Sequence, residues 1–297
     1  MSLQEMSLVR GALSAIPDRL ETPLEDMRVL YETLAPPVDA DDGATVEKLS
    51  IAGRDAEFTV PAGADATAAI LYLHGGGYCL GSLNTHRRLA RSIAAAAGVA
   101  VLAIDYRLAP EHRCPAAVED ALAAWRWLLD RGFAPSRVAF SGDSAGGGLT
   151  IATMVAARDA GMSLPGAAFC ISPWVELANN LPSMAAKASV DPMIGKARLD
   201  MMTAIYLAGR PVGDELASPL HADLTGLPPV LIHVGSAECL LDDSVRLAGA
   251  LGAAGVEARL EIWPQMIHVW HFFAPMLSEG RDAIVSAGAW LKEKLRE

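Results

Sequence analysis

Val138-Ala-Phe-Ser-Gly-Asp-Ser-Ala-Gly-Gly-Gly148 is the stretch whose reading decides the architecture of this chain. Val138–Ser141 is a short, mostly apolar run suited to a strand, and a helical pattern follows Ser144 over about residues 145–160. G-x-S-x-G between a strand and a helix is the setting of a nucleophile elbow, where the serine occupies a sharp, strained turn. Small neighbours are then required, because a side chain at 142 or 146 would strike the adjacent strand or helix. The helix start also directs N–H groups toward developing negative charge. This stretch predicts Ser144 as a nucleophile, the bland alternative being a structural Gly/Ser turn.

Outward from the elbow, short aliphatic runs alternate with helical patterns. The predicted strands are Thr45–Ile51, Ala56–Val60, Ala69–Leu73, Val99–Ile104, Val138–Ser141, Ala167–Ile171, Val230–Val234 and Ala258–Trp263. Helical patterns lie near residues 86–97, 116–131, 145–160, 243–254 and 277–295. Five of these runs are nearly continuous apolar stretches, as suits central strands covered on both faces, and repeated β-then-α order implies mostly parallel pairing with right-handed crossovers. The first two runs are close enough to form an antiparallel edge. Two regions break the alternation. Residues 1–44 hold one amphipathic pattern, Arg19–Leu34, and a linker-like PPVDADDG; residues 178–213 hold Asp191-Pro192, Gly195 and a helical pattern near Ala197–Leu207, but no strand. An insertion beyond the C-terminal end of a strand is where open α/β sheets place ligands and lids.

Composition narrows the classes of function. The 297 residues carry 24 Lys+Arg against 35 Asp+Glu, a formal charge of −11, and 52% are apolar. That fraction supports a packed core rather than disorder, and the acidity argues against nucleic acid as a partner. Arg87, Arg88 and Arg91 form one basic cluster, read as a solvated helix face. No apolar run approaches the ~20 residues that span a bilayer, and the N-terminus shows no signal-peptide core. Cys79, Cys114, Cys170 and Cys239 are too scattered for a zinc-type spacing, so buried thiols in a cytoplasmic protein are expected.

Ile70-Leu-Tyr-Leu-His-Gly-Gly-Gly-Tyr78 ends another strand in a glycine run able to aim backbone N–H donors at a ligand. An HGGG run of this kind supplies half of an oxyanion hole, the other half being the amide after the nucleophile, here Ala145. A phosphate loop is the alternative, but Ser82 stands where its lysine would be. His74 is expected to brace the loop. An elbow-based triad runs Ser, acid, His along the chain. Among the later histidines, His233 falls inside an apolar strand and His221 in a Pro-flanked loop, whereas His268 follows the last strand, at the sheet edge that carries Ser144. His268 is thus the base. His271, three residues on, makes a metal pair conceivable, but no third ligand or H-E-x-x-H pattern accompanies it. The acid belongs on the loop after Val230–Val234. Glu238 is nearest the strand end, while Asp242 and Asp243 look like the start of the next helix, where carboxylates cap N–H groups.

Together, His74-Gly-Gly-Gly77, Asp105-Tyr-Arg-Leu-Ala-Pro-Glu111, Gly142-Asp-Ser-Ala-Gly-Gly147, Ser172-Pro-Trp174, the Glu238–Asp243 stretch and Met266-Ile-His268 resemble the hormone-sensitive-lipase family of α/β-hydrolases, the bacterial family IV esterases. The resemblance spans about residues 69–275. It implies an α/β-hydrolase fold with a mostly parallel eight-stranded sheet, flanking helices and a helical cap. The division it implies is an N-terminal cap segment (1–44), a core in two parts (45–177 and 214–297) and a cap insertion (178–213). It further implies cofactor-free hydrolysis of short-to-medium-chain carboxylic esters, with Ser144 as nucleophile, His268 as base, Glu238 as orienting acid, and the amides of Gly76, Gly77 and Ala145 as oxyanion donors. Asp105 and Arg107 look like a structural ion-pair element. Tyr78, Asp143, Trp174 and Tyr206 are the candidate substrate-binding residues. The family usually has aspartate where this chain has Glu238, one methylene longer. A non-catalytic ligand receptor on the same fold and an amidase or peptidase are the rival readings. A small ester is the expected partner, with no metal and no stable membrane insertion, and apolar edge strands make a homodimer plausible.

Overall fold

The computed structural model describes residues 3–14, 22–33 and 43–296. Two helices come first, α1 (Leu3–Ser14) and α2 (Leu24–Thr33). The second falls within the amphipathic pattern Arg19–Leu34, whose first residues lie outside the described ones, as does nearly all of PPVDADDG. The first was not anticipated. It seats Met6, Val9 and Leu13 against Met266, Ile267 and Trp270, so its helical face is completed by residues far along the chain.

The sheet follows the predicted alternation: β1 (Thr45–Ile51), β2 (Arg54–Val60), β3 (Asp65–Leu73), α3 (Leu83–Ala97), β4 (Val99–Ile104), α4 (Ala116–Asp130), β5 (Val138–Asp143), α5 (Ala145–Asp159) and β6 (Ala167–Ile171). After β6 come α6 (Pro182–Ala186) and α7 (Lys196–Leu207), then β7 (Val230–Gly235), α8 (Leu241–Ala253), β8 (Ala258–Trp263) and α9 (Ser278–Lys294). Strand order is β1-β2-β4-β3-β5-β6-β7-β8. β2 runs antiparallel to both β1 and β4, and the remaining pairs are parallel.

Alternation of side chains along each strand divides the core in two. Ala69, Leu71 and Leu73 of β3 face a layer that includes Trp125 of α4, Leu149 of α5 and Leu247 of α8. Ile70 and Tyr72 face the other layer, with Ile93 of α3 and Leu291 of α9. Continuous apolar runs are needed because both faces are covered: every residue of β5, β6 and β7 is buried. All four cysteines are buried and free. Among the described residues, no helix is long and apolar enough to cross a membrane.

Three charged motifs do other work than their spacing suggests. Arg87 grips the buried Glu57 of β2 at 2.7 and 2.8 Å, and Arg91 approaches the same carboxylate at 3.8 Å. Two of the three arginines of the basic cluster therefore form a clasp between α3 and the sheet rather than a solvated face. Asp105 and Arg107 also find separate partners: Asp105 accepts the Leu83 amide at the start of α3, and Arg107 binds Asp120 of α4 at 2.8 Å. Asp242 and Asp243 sit in the first turn of α8 but spend their carboxylates across the fold, on the Ser183 amide (2.7 Å) and on the Val175 and Glu176 amides (3.1 Å each). Sequence distance hid these partners.

The elbow is set by a backbone-to-backbone crossing. A Cβ on Gly146 would overlap the carbonyls of Leu73 and His74, and one on Gly142 would overlap the Gly146 and Leu73 carbonyls. The start of α5 thus lies directly on the end of β3, and neither backbone is free to yield. Overpacking of a tight interior costs about 1–3 kcal/mol. Gly146→Ala is accordingly expected to lower Tm by several degrees in a thermal unfolding scan, with the far-ultraviolet spectrum of the folded fraction unchanged. An unaltered Tm would contradict the crossing.

Candidate active site

Ser144 joins β5 to α5 with φ +53° and ψ −121°, a backbone conformation costly for a residue with a side chain. It is held from both sides. Its amide donates to the Ile171 carbonyl at 2.8 Å, and its own carbonyl accepts from Trp174 and Gly148 at 2.9 and 3.1 Å. Ser144 thus stands immediately before Ala145, the first residue of α5.

The glycine run after β3 turns across this point. Gly76 has φ +115°, reachable without penalty only by glycine, and its carbonyl accepts the Cys79 and Leu80 amides at 3.1 and 2.9 Å. The Gly76, Gly77 and Ala145 amides have no acceptor among the described residues. Asp143 pins the loop from behind, accepting the Gly75 amide at 3.1 Å and the Tyr72 hydroxyl at 2.7 Å, with His86 Nε2 3.4 Å away. Burial works against the Asp143 charge, but His86, Tyr72 and His74 hold its carboxyl below the ordinary value. His74 stacks on Tyr106 at 4.1 Å; burial, then the neighbouring His86, pull its imidazole down to about 3. It is a neutral brace of the loop, as its position suggested.

His268 follows β8 and its Nδ1 lies 3.5 Å from Glu238 Oε1. Glu238 is fully buried on the loop after β7, and its other oxygen accepts the Ser172 hydroxyl at 2.9 Å and the Gly235 amide at 3.0 Å. Ser172 accepts the Val269 amide at 3.1 Å, which ties the acid to the histidine loop. Burial draws the Glu238 carboxyl upward, and His268 works against that shift. For His268, burial lowers the imidazole, but the hydrogen bond and charge of Glu238, then the charges of Asp191 and Asp143, outweigh it and raise it above 6.5. The donors from Ser172 and Gly235 favour the carboxylate form, against the burial that opposes it. The other histidines lie elsewhere. His233 contacts Glu261 at 3.1 Å and His271 at the same distance, and His221 pairs with Glu176 at 2.7 Å.

Ser144, His268, Gly76 and Gly77 line one cavity, whose empty space is about 580 Å³ with its open mouth included. Its apolar wall comes from Leu80, Met193, Ile194, Leu199, Met202 and Phe272, and Arg198 of α7 and Tyr31 of α2 face it as well. Of the four candidate substrate-binding residues, only Asp143 reaches this lining, with its carboxylate already engaged. Tyr78, Trp174 and Tyr206 stand outside it, packed together: the Tyr78 and Tyr206 rings stack at 3.9 Å, and Trp174 lies 6.1 Å from Tyr78. Their size marked them as pocket formers, but they fill the interior instead. The residues that do form the wall come mostly from the segment between β6 and β7. In the sequence this segment showed itself as a strandless insertion beyond a strand end, without telling which of its residues face the cavity.

Comparison with known proteins bears on the fold and the family. A family described as alpha/beta hydrolase fold matches residues 70–272. An acetyl-hydrolase of Streptomyces hygroscopicus is 51% identical over 237 residues, covering 80% of this chain and 79% of that protein. The crystal structure of EstE5 soaked with p-nitrophenyl butyrate superposes with a TM-score of 0.95 at 48% identity, covering 99% of each chain. An esterase from the bacterial hormone-sensitive lipase family gives a TM-score of 0.94 at 47% identity over 98% of each chain. Fold, sequence and solved relatives converge, and the chain belongs to the hormone-sensitive-lipase-like family of α/β-hydrolases, the bacterial family IV esterases, as a carboxylic-ester hydrolase.

Proposed function

We propose that the protein hydrolyses short-to-medium-chain carboxylic esters through an acyl-enzyme formed on Ser144. The observation that carries this reading is the gathering of Ser144, His268, Gly76 and Gly77 around one cavity with Glu238 buried behind the histidine. His268 takes the hydroxyl proton as Ser144 attacks the ester carbonyl, and the Gly76, Gly77 and Ala145 amides receive the oxyanion. His268 then returns the proton to the leaving alkoxide, and water repeats the sequence on the acyl-enzyme. Glu238 holds the imidazole in the productive tautomer and stabilises the imidazolium. Its 3.5 Å separation is a resting distance, since catalytic hydrogen bonds are often long before substrate binds. Each oxyanion donor lowers the barrier by about 2.7–4 kcal/mol. Ser144→Ala is expected to reduce turnover of p-nitrophenyl butyrate about a millionfold with the fold intact; near-normal turnover by a folded variant rules the nucleophile out.

The acid is tested by a second comparison. Because Glu238 raises His268 above 6.5, kcat/KM of the native enzyme is expected to fall as pH drops through a value above 6.5, where the imidazole becomes protonated. Glu238→Gln removes that charge, so the acid limb moves to lower pH while kcat drops by about four orders of magnitude. Asp243→Asn, which only weakens the contacts to Val175 and Glu176, costs stability and leaves the limb in place. The opposite pattern in the two variants would reassign the acid.

The cavity wall sets the acyl preference. Met202 of α7 packs directly on Gly77 and so narrows the apolar space beside the oxyanion loop. Butyrate to octanoate esters are expected to turn over faster than hexadecanoate esters, with no activation at an oil–water interface. Nitrophenyl esters graded by chain length, with an anilide series beside them, measure this and test the amidase alternative.

A further inference from the structure

Cys239, the residue after Glu238, is held on both sides by the segment between β6 and β7. Its amide donates to Asp191 Oδ2 at 2.7 Å, and its carbonyl accepts the Ser183 hydroxyl at 2.7 Å. The second oxygen of Asp191 accepts the amides of Met193 and Ile194, at 2.9 and 3.2 Å, and those two residues line the cavity. One buried carboxylate therefore joins the backbone of the acid's loop to the wall of the substrate cavity. Asp191 touches neither the reacting serine nor the histidine, and the hydrolytic mechanism above assigns it nothing.

We propose that Asp191 is a positioning residue for ester hydrolysis: it fixes the Glu238–Cys239 peptide relative to the pocket wall, and its negative charge adds to that of Glu238 in stabilising the imidazolium of His268. This inference rests on the triad reading given above. The groups acting on His268 come from several elements. Glu238 approaches from the loop after β7, Asp143 from the end of β5, Asp191 from the inserted segment, and the Arg198 guanidinium faces the same cavity from α7. Cys239 adds no charge, because burial, then Asp191, pushes its thiol up to about 12. Asp191 is thus the one carboxylate near His268 that the inserted segment contributes, and it arrives with that segment's own backbone attached.

The test compares Asp191→Asn, Asp191→Glu and Ser183→Ala by kcat, KM and the pH dependence of kcat/KM on p-nitrophenyl butyrate. Asp191→Asn keeps the side-chain shape and removes the charge. It is expected to move the acid limb to lower pH and to lower kcat between about ten- and a hundredfold, as small displacements of a catalytic group do. Asp191→Glu keeps the charge but changes the reach, so kcat falls while the limb stays at its native position. Ser183→Ala loosens the other side of Cys239 without altering charge and lowers kcat with no movement of the limb. A limb unmoved in Asp191→Asn overturns the proposal. If that variant does not fold, Asp191→Glu decides: native kcat, or a displaced limb, overturns it. A Ser144→Ala enzyme that remains active would instead overturn the triad reading, and the two failures are distinguishable.

Discussion

The start of α5 and the end of β3 cross with their backbones in contact, and the active site is arranged around that crossing. Gly146 lies against the Leu73 and His74 carbonyls because it has no side chain. The same approach brings the Ala145 amide beside the glycine run that continues from β3. Ser144 is carried between them on a strained backbone, held by hydrogen bonds to Ile171 on one side and from Trp174 on the other. Strain of this kind persists only where the surroundings over-determine it. Here two parallel strands and a helix do so, which is why the elbow sits in the middle of the sheet, at β5, rather than at an edge.

Three carboxylates beside the site have distinct tasks because their partners differ. Glu238 faces the His268 imidazole and two donors, the Ser172 hydroxyl and the Gly235 amide. Asp143 faces the Gly75 amide, a tyrosine hydroxyl and His86, and steadies the glycine run after β3. Asp191 faces three backbone amides and joins the acid's loop to the pocket wall. The N-terminal segment is anchored in a comparable way. Arg28 of α2 donates to the Cys79 and Ala109 carbonyls at 2.8 Å each and pairs with Glu111 at 2.7 Å, tying the helix that bears Tyr31 to the segment after the glycine run. Guanidinium groups suit such a role, since several donors in one plane can bind carbonyls and a carboxylate together. The parts of the chain that enclose the substrate cavity are thus bonded to the loops that carry the chemistry.

Much of this was legible in the sequence, because its signals are local. A strand buried on both faces must be apolar throughout, so the central strands stood out by composition, whereas β1 and β8 are largely exposed or half-buried and mix polar with apolar residues. The elbow and the glycine run each occupy a few consecutive residues whose spacing follows from steric need, and Glu238 and His268 each follow a recognisable strand end. The family resemblance, carried by those same short motifs, anticipated the fold and the ester chemistry.

What only the tertiary structure decided is which residues meet across large separations in the chain. Tyr78, Trp174 and Tyr206 were expected at the pocket because of their size, yet packing placed them behind it and brought Met193, Ile194 and Met202 forward. Asp242 and Asp243 have the position of helix caps, but their carboxylates bind amides about sixty residues away in sequence. The helix α1 has too weak a pattern to declare itself, and the loop residues it packs on lie at the other end of the chain. Periodicity and steric spacing are properties of neighbouring residues and can be read along the chain. Hydrogen-bond partners and pocket walls depend on the distance between segments, which exists only once the sheet has brought them together.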